Sequence, residues 1–139
     1  MLTKSELIAE LDKQLQTKLS YLTTNLQQAI DSRNFDTKSS AGDKFETSRE
    51  MAQIEIHKIE TEISKTQQFI TDLFSKVTQL IITDKGDFLI SIPFGKLMVD
   101  GTAVFCISNT APITKQLINT KVSSNFDYGG VVYNVIDIT

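Results

Sequence analysis

Cysteine and histidine each occur once in the 139 residues, proline twice and tryptophan not at all. A single cysteine excludes an intrachain disulfide framework and a cysteine-rich zinc module. A single histidine excludes most histidine-based metal sites and any two-histidine catalytic arrangement. Long apolar runs are missing too. The longest aliphatic run is Leu80-Ile81-Ile82, against the roughly 20 residues needed to cross a bilayer. There is no surplus of cations: 14 Lys and Arg against 17 Asp and Glu leave a net charge of −3. That balance argues against a free-standing nucleic-acid binder, whose affinity rests on neutralising phosphates. The opening Met1-Leu2-Thr3-Lys4-Ser5-Glu6 turns polar at once, without the apolar stretch of a signal peptide. A reducing cytoplasm, with no membrane partner, is the expectation.

What is present suits an ordered chain. Hydrophobic residues make up 40% and charged ones 22%, which excludes wholesale disorder. The length fits one ordinary domain, or a helical extension on a small one.

Two halves have different grammars. Residues 1–80 hold no proline and only Gly42, whereas residues 81–139 hold both prolines and the other five glycines. In the first half, Thr3-Lys4-Ser5-Glu6 fits a capping box with Thr3 as N-cap. Leu7, Leu11, Leu15, Leu19, Leu22, Leu26 and Ile30 then recur at helical spacing. A polar stretch from Asp31 to Ser40 interrupts the pattern. A second stripe follows at Ala52, Ile56, Ile59, Ile63, Thr66, Ile70, Leu73, Val77 and Leu80. It alternates four and three, a heptad seam with one polar lapse at Thr66. Two stripes joined by a short polar link predict an antiparallel coiled-coil hairpin over residues 1–79, with an acidic tip near 41–50. At about 1.5 Å per residue, some 30 residues per arm give a rod of roughly 45 Å. The alternative is pairing between chains, but the link suits a local reversal, so a monomer is expected.

The second half, residues 80–139, reads as short strands with tight turns. Leu80-Ile81-Ile82 and Phe88-Leu89-Ile90 flank Lys85-Gly86. Lys96 to Val99 and Ala103 to Ile107 flank Asp100-Gly101, and Asn125 to Tyr128 and Val131 to Ile136 flank Gly129-Gly130. Pro112 to Ile118 reads as a short helix, capped by Thr110 and stopped by Asn119 in a left-handed conformation. The fold class is therefore α+β: a long helical hairpin, then a small antiparallel sheet with one helix.

The chemically suggestive residues lie where the helices reverse. Asp43 and Glu46 are three apart, so on a first helical turn they share a face. Two carboxylates and water can hold Mg²⁺, but only as half a site whose other oxygens come from elsewhere. The same spacing is also a capping box, Asp43 as N-cap and Glu46 at the third position, with acids favoured there by the helix dipole. Arg33, Lys38, Lys44 and Arg49 stand among Asp31, Asp36, Asp43, Glu46 and Glu50. They read either as a solvated mixed-charge end or as contacts to a partner. Phe45, between charges, either packs beneath the tip or meets that partner.

These residues carry a resemblance. Gly42-Asp43-x-x-Glu46 at the reversal of an N-terminal helical hairpin resembles the tip of the Gre-type bacterial transcript-cleavage factors. Ile107-Ser108 followed by Pro112-Ile113-Thr114-Lys115-Gln116-Leu117-Ile118-Asn119-Thr120-Lys121-Val122 is similar to that family's Ser-Pro-Leu-Gly-Arg-Ala-Leu-Leu-Gly-Lys-Lys-Val block. The closing Gly130-Val131-Val132-Tyr133-Asn134-Val135-Ile136-Asp137-Ile138 resembles its Gly-x-x-x-Tyr-x-Val-x-x-Ile ending. The resemblance implies an antiparallel coiled coil on an FKBP-like globular domain that docks at the secondary channel of RNA polymerase. It implies that Asp43 and Glu46 help hold a Mg²⁺ shared with the polymerase, whose own endonuclease activity then cleaves backtracked nascent RNA. On that reading the chain is not itself an enzyme, and Lys44, Phe45 and Arg49 meet the partner. The sequence departs from the family after the tip. Arg49 and Glu50 replace an expected acid and aromatic, Lys44-Phe45 replaces a common Leu-Ser, and Asn119 replaces a glycine. A channel ligand that does not cleave is therefore the alternative, and a dimeric coiled-coil scaffold the third reading.

Other candidates read as structural. Cys106 lies in an apolar strand without a nearby base, and His57 sits beside the seam, facing solvent. Prolyl isomerisation, which an FKBP-like base raises, needs an aromatic pocket. Phe88, Phe94, Phe105, Phe126, Tyr128 and Tyr133 serve equally as core, and the tryptophan common in such pockets is absent.

Overall fold

A computed structural model describes the backbone of residues 2–39 and 43–139, and the side chains of residues 2–34 and 48–139. The fold is α+β. Two long helices, α1 (Lys4–Ser39) and α2 (Asp43–Ser75), precede β1 (Gln79–Thr83), β2 (Gly86–Ser91), β3 (Gly95–Val99) and β4 (Thr102–Ser108). The short α3 (Pro112–Ile118) and strands β5 (Asn125–Tyr128) and β6 (Val131–Ile138) complete the chain. Two compact units result: Met1–Asp12 together with Thr71–Thr139, and Lys13–Ile70.

In the first unit the six strands form one sheet in the order β3-β4-β2-β1-β6-β5. The three expected hairpins form: β1 with β2, β3 with β4 and β5 with β6 all pair antiparallel. Two of their turns show why. Asp100 and Gly101 have φ of 51° and 79°, and Gly129 and Gly130 of 63° and 80°. Positive φ at both central positions gives the turn whose twist matches the flanking strands, and Gly or Asp tolerates it best. The first turn is displaced by one residue from expectation. Thr83 pairs with Gly86, so Asp84 and Lys85 form the loop and Gly86 opens β2.

The sheet is mixed, not purely antiparallel as expected. β2 and β4 run parallel, in register from Asp87↔Val104 to Ser91↔Ser108. The cause lies in the segment after β2. Phe94 N donates to Ile92 O at 2.8 Å across Pro93, which has no N–H for a ladder. The chain turns there but crosses to the far side of β4, and the Asp100-Gly101 hairpin returns β4 beside β2 in the same direction. β1 also pairs antiparallel with β6, with a register shift between Ile82 and Thr83.

Alternation of side chains gives the sheet two apolar faces. One gathers Ile81, Phe88, Ile90, Phe126 and Val135 with Leu117 of α3. Across it runs a row of rings: Phe105 to Phe88 at 5.9 Å, Phe88 to Tyr133 edge-on at 5.7 Å, and Tyr133 stacked on Phe126 at 5.0 Å. Leu80, Ile82, Leu89, Val104 and Cys106 are buried on the opposite face, and Leu7, Leu11 and Leu73 are buried in the same unit. Leu2, Thr3 and Lys4 line a groove with Leu80, Ile82, Asp137 and Thr139, which sets the root of α1 against that face. Each such buried leucine contributes about 2 kcal/mol of apolar burial. The root is fixed by polar bonds as well. The expected capping box forms: Glu6 N donates to Thr3 Oγ1 and Thr3 N to Glu6 Oε2, both at 3.2 Å. Lys4 Nζ donates to Thr78 O at 3.1 Å.

Helix α3 begins and ends otherwise than expected. Its N-cap is Ala111, extended and without a side-chain cap bond, and the hydroxyl of Thr110, the expected cap, pairs with that of Ser108 at 3.1 Å. Asn119 has φ −91° and ψ 0°, not a left-handed conformation. Its Nδ2 donates to Lys115 O at 3.0 Å and satisfies a terminal carbonyl directly.

The heptad stripe of α2 also stops earlier than its spacing suggests. The helix ends at Ser75, Leu73 is buried, and Val77 is 95% exposed. Leu80 belongs to β1, where the β-branched run that follows favours an extended backbone.

The second unit contains the remaining lengths of α1 and α2. Leu15 and Leu22 of α1 and Ile56, Ile59 and Thr66 of α2 are buried, with Leu19, Leu26, Ile30, Ala52, Ile63 and Ile70 half-buried. Thr66, the polar lapse, is only 1% exposed. Its hydroxyl donates to Glu62 O at 2.8 Å, so burial leaves no unpaired donor. Polar side chains join the helices: Lys18 Nζ lies 3.7 Å from Glu62 Oε2, and Arg33 Nη1 donates to Gln53 Oε1 at 3.0 Å.

Candidate functional site

The site expected from sequence lies at the start of α2. Asp43 is the first residue of that helix and Glu46 lies in its first turn; the backbone is helical at both. The readings made of the Asp43, Lys44, Phe45 and Glu46 side chains, as metal pair, capping box and partner contact, fall outside the described residues. Arg49 and Glu50 are described, and both are exposed.

Neighbouring side chains define the surroundings. Glu50, Gln53, Ile54, His57 and Lys58 line a shallow depression of about 540 Å³ on α2, next to exposed Met51. His57 faces solvent, as its place beside the seam required. On α1, Gln27 Nε2 donates to Asp31 Oδ1 at 3.0 Å, two residues before Arg33. The Arg33–Gln53 bond was not legible in the sequence. Arg33 stood among the tip cations, but nothing in the local pattern marks Gln53 as its acceptor.

The remaining candidates resolve as structural. Cys106 is buried, and burial pushes its thiol up to about 12, far from a reactive thiolate. Phe88 and Phe126 are consumed by the core, while Phe105 and Tyr128 stay 39% exposed at different strands. Two acids outside the expected site carry perturbed protonation. Asp84 is held below the ordinary 3.8 by hydrogen bonds from Asn134, with Lys85 adding to the effect. Asp87 is raised by burial, against a bond from the backbone of Thr83. Among the described residues no three His, Cys, Asp or Glu side chains converge as a metal site, and no helix is long and apolar enough to cross a membrane.

Comparison of the chain with protein-family models, curated proteins and solved structures finds no match in any of the three.

Proposed function

We propose that the protein is a Gre-like transcription elongation factor: its two long helices form an antiparallel coiled-coil hairpin that enters the secondary channel of RNA polymerase and stimulates cleavage of backtracked RNA. The observation that carries this reading is the position of Asp43 and Glu46 in the first turn of α2, immediately after α1 ends at Ser39. The contacts of Lys18 with Glu62 and of Arg33 with Gln53, and the buried leucines and isoleucines of both helices, support a hairpin. The sheet with its single short helix supports an FKBP-like docking base, although its parallel β2–β4 pair departs from an all-antiparallel plan.

The donor set suits the proposed ion. Carboxylate oxygens are hard ligands, and two of them are too few for octahedral Mg²⁺, so the ion is shared and the polymerase and RNA supply the rest. When bound, it positions and activates water. Asp43 and Glu46 contribute negative charge at a fixed spacing, and Lys44, Phe45 and Arg49 meet the channel.

The test is RNA shortening in stalled complexes of the host polymerase. Asp43→Asn and Glu46→Gln each lower the cleavage rate at least ten-fold while co-purification with the polymerase is retained, because each removes one anionic ligand. Equal cleavage by parent and variants removes the assigned chemistry. A second reading, occupancy of the channel without cleavage, is favoured by exposed Arg49, where the family it resembles carries an acid. In that case both variants regulate transcription as the parent does.

A further inference from the structure

We propose that the ring-bearing face of the sheet is a docking surface for an acidic segment of a partner protein, one that interleaves carboxylates with aromatic or aliphatic anchors. The proposal concerns the sheet-bearing unit alone and is independent of the role assigned to Asp43 and Glu46.

The strand registers place the side chains. Residues directly paired across antiparallel strands share a face. Lys96 therefore stands beside Phe105 and Met98 beside Ala103, while Phe126 stands beside Tyr133 and Tyr128 beside Val131. Phe105 is also level with Phe88 on β2. Helix α3 covers part of this face through Ile113 and Leu117. The rest is open: Met98, Phe105, Tyr128 and Val131 are exposed and Tyr133 is half-buried. Ring contacts run without a break from Phe105 to Phe126. The Phe105 ring also rests over Gly86, 3.5 Å from where a Cβ there would stand, and offers its outer side to solvent. Connected apolar surface of this kind, rich in aromatic rings, is what binding faces are made of.

Charge selects the partner. Among the described residues, no acid of β1 to β6 has its register position on the ring face. Asp87 pairs with Ile82 and Val104, Asp127 with Val132, and Asp137 with Ile82, all on the opposite face. Asp84 and Asp100 lie in turns. The lysines are distributed the other way. Lys96 is on the face itself, and Lys115 of α3 and Lys121 just beyond that helix are exposed. In a chain of net charge −3, this local reversal of sign favours an acidic ligand. Three lysines are fewer than the roughly four to eight that draw a protein to an anionic bilayer. They are also too few to hold a nucleic acid against the net negative charge. Lysines set among rings match carboxylates set among apolar anchors.

The test is fluorescence anisotropy of the full chain with a labelled synthetic peptide in which aspartate and glutamate alternate with phenylalanine and leucine. The peptide binds the parent, and added salt weakens the complex. Lys96→Glu and Phe105→Ala each weaken it by about ten-fold or more, the scale of losing a charge partner or an aromatic anchor. Lys13→Glu makes the same change of charge at an exposed position of α1 and weakens binding less than about two-fold, since distant exposed charges are screened. Position 96 is exposed, so Lys96→Glu decides the matter alone if Phe105→Ala does not fold. Absence of binding to the parent, equal losses in Lys96→Glu and Lys13→Glu, or equal binding of a peptide with lysine in place of each acid overturns the proposal. Tighter capture of phosphatidylserine vesicles or of oligouridylate than of the peptide also overturns it, and assigns the face to a bilayer or to RNA. A concentration-dependent dimer in sedimentation that Phe105→Ala disperses overturns it as well, because a second copy of the chain then covers the face.

Discussion

Asp84 grips Asn134 with both carboxylate oxygens: Oδ1 accepts from the Asn134 backbone N at 2.9 Å and Oδ2 from its Nδ2 at 2.8 Å. The pair joins the β1–β2 loop to β6, 50 residues further along the chain. Lys85 reinforces it, donating to Val132 O at 2.7 Å and lying 3.6 Å from Asp84 Oδ2.

The sign of the pH dependence follows from these bonds. Hydrogen bonds from Asn134 favour the ionised form and hold Asp84 below 3.8 in the folded state. A depressed carboxylate contributes stability that is present above its unfolded value and is lost as pH falls through the folded one. Asp87, raised by burial, works in the opposite sense, so the net slope of the parent mixes the two. The difference between parent and Asn134→Ala isolates the part of this effect that the Asn134 side chain carries, since the backbone N–H at that position still donates to Asp84 Oδ1. In urea titrations the variant is the less stable at pH 7, and the gap narrows as pH falls below 3.8. A gap of constant size across that range removes the account.

Leu73 and Val77 stand four residues apart in one heptad stripe but meet opposite environments. Leu73 is buried and Val77 exposed. Leu73→Ala costs about 2–5 kcal/mol, the usual range for emptying a packed leucine site. Val77→Ala changes stability by less than about 0.5 kcal/mol, as surface substitutions do. Denaturant midpoints at constant m-value check both, and comparable losses at the two sites would restore the longer seam.

The Cys106 thiol, pushed up to about 12 by burial, reacts with a disulfide reagent at pH 8 only through opening of the sheet. Its labelling rate in the native protein falls at least a hundred-fold below that of the urea-unfolded chain, and Leu97→Ala, which loosens the same sheet, accelerates it. Rapid labelling of the native protein would mean that β4 is not sealed.

Local chemistry made much of this fold legible. The capping box at Thr3 and Glu6, the Asp100-Gly101 and Gly129-Gly130 turns and the inward leucines of α1 all follow from interactions within a few residues. What escaped was set at long range. No local signal separates Phe94 turning back beside β2 from Phe94 crossing over β4, so the parallel pair was missed. The same holds for Asp84 with Asn134 and for Arg33 with Gln53, whose partners are distant in sequence. At the site, spacing indicated where Asp43 and Glu46 lie along the chain, since three residues on a helix is a local relation. The capping and metal readings share that spacing, so the sequence left both open.

One feature of the chain's path bears on how such proteins diversify. The unit Lys13–Ile70 is entered through a helix rooted at Lys4 and left through one that ends at Ser75, and both ends belong to the sheet-bearing unit. Excising one heptad from each helix, in phase, keeps the remaining stripes in step and leaves the β-strands untouched. The length of this unit can therefore change in seven-residue increments that preserve the phase of each stripe.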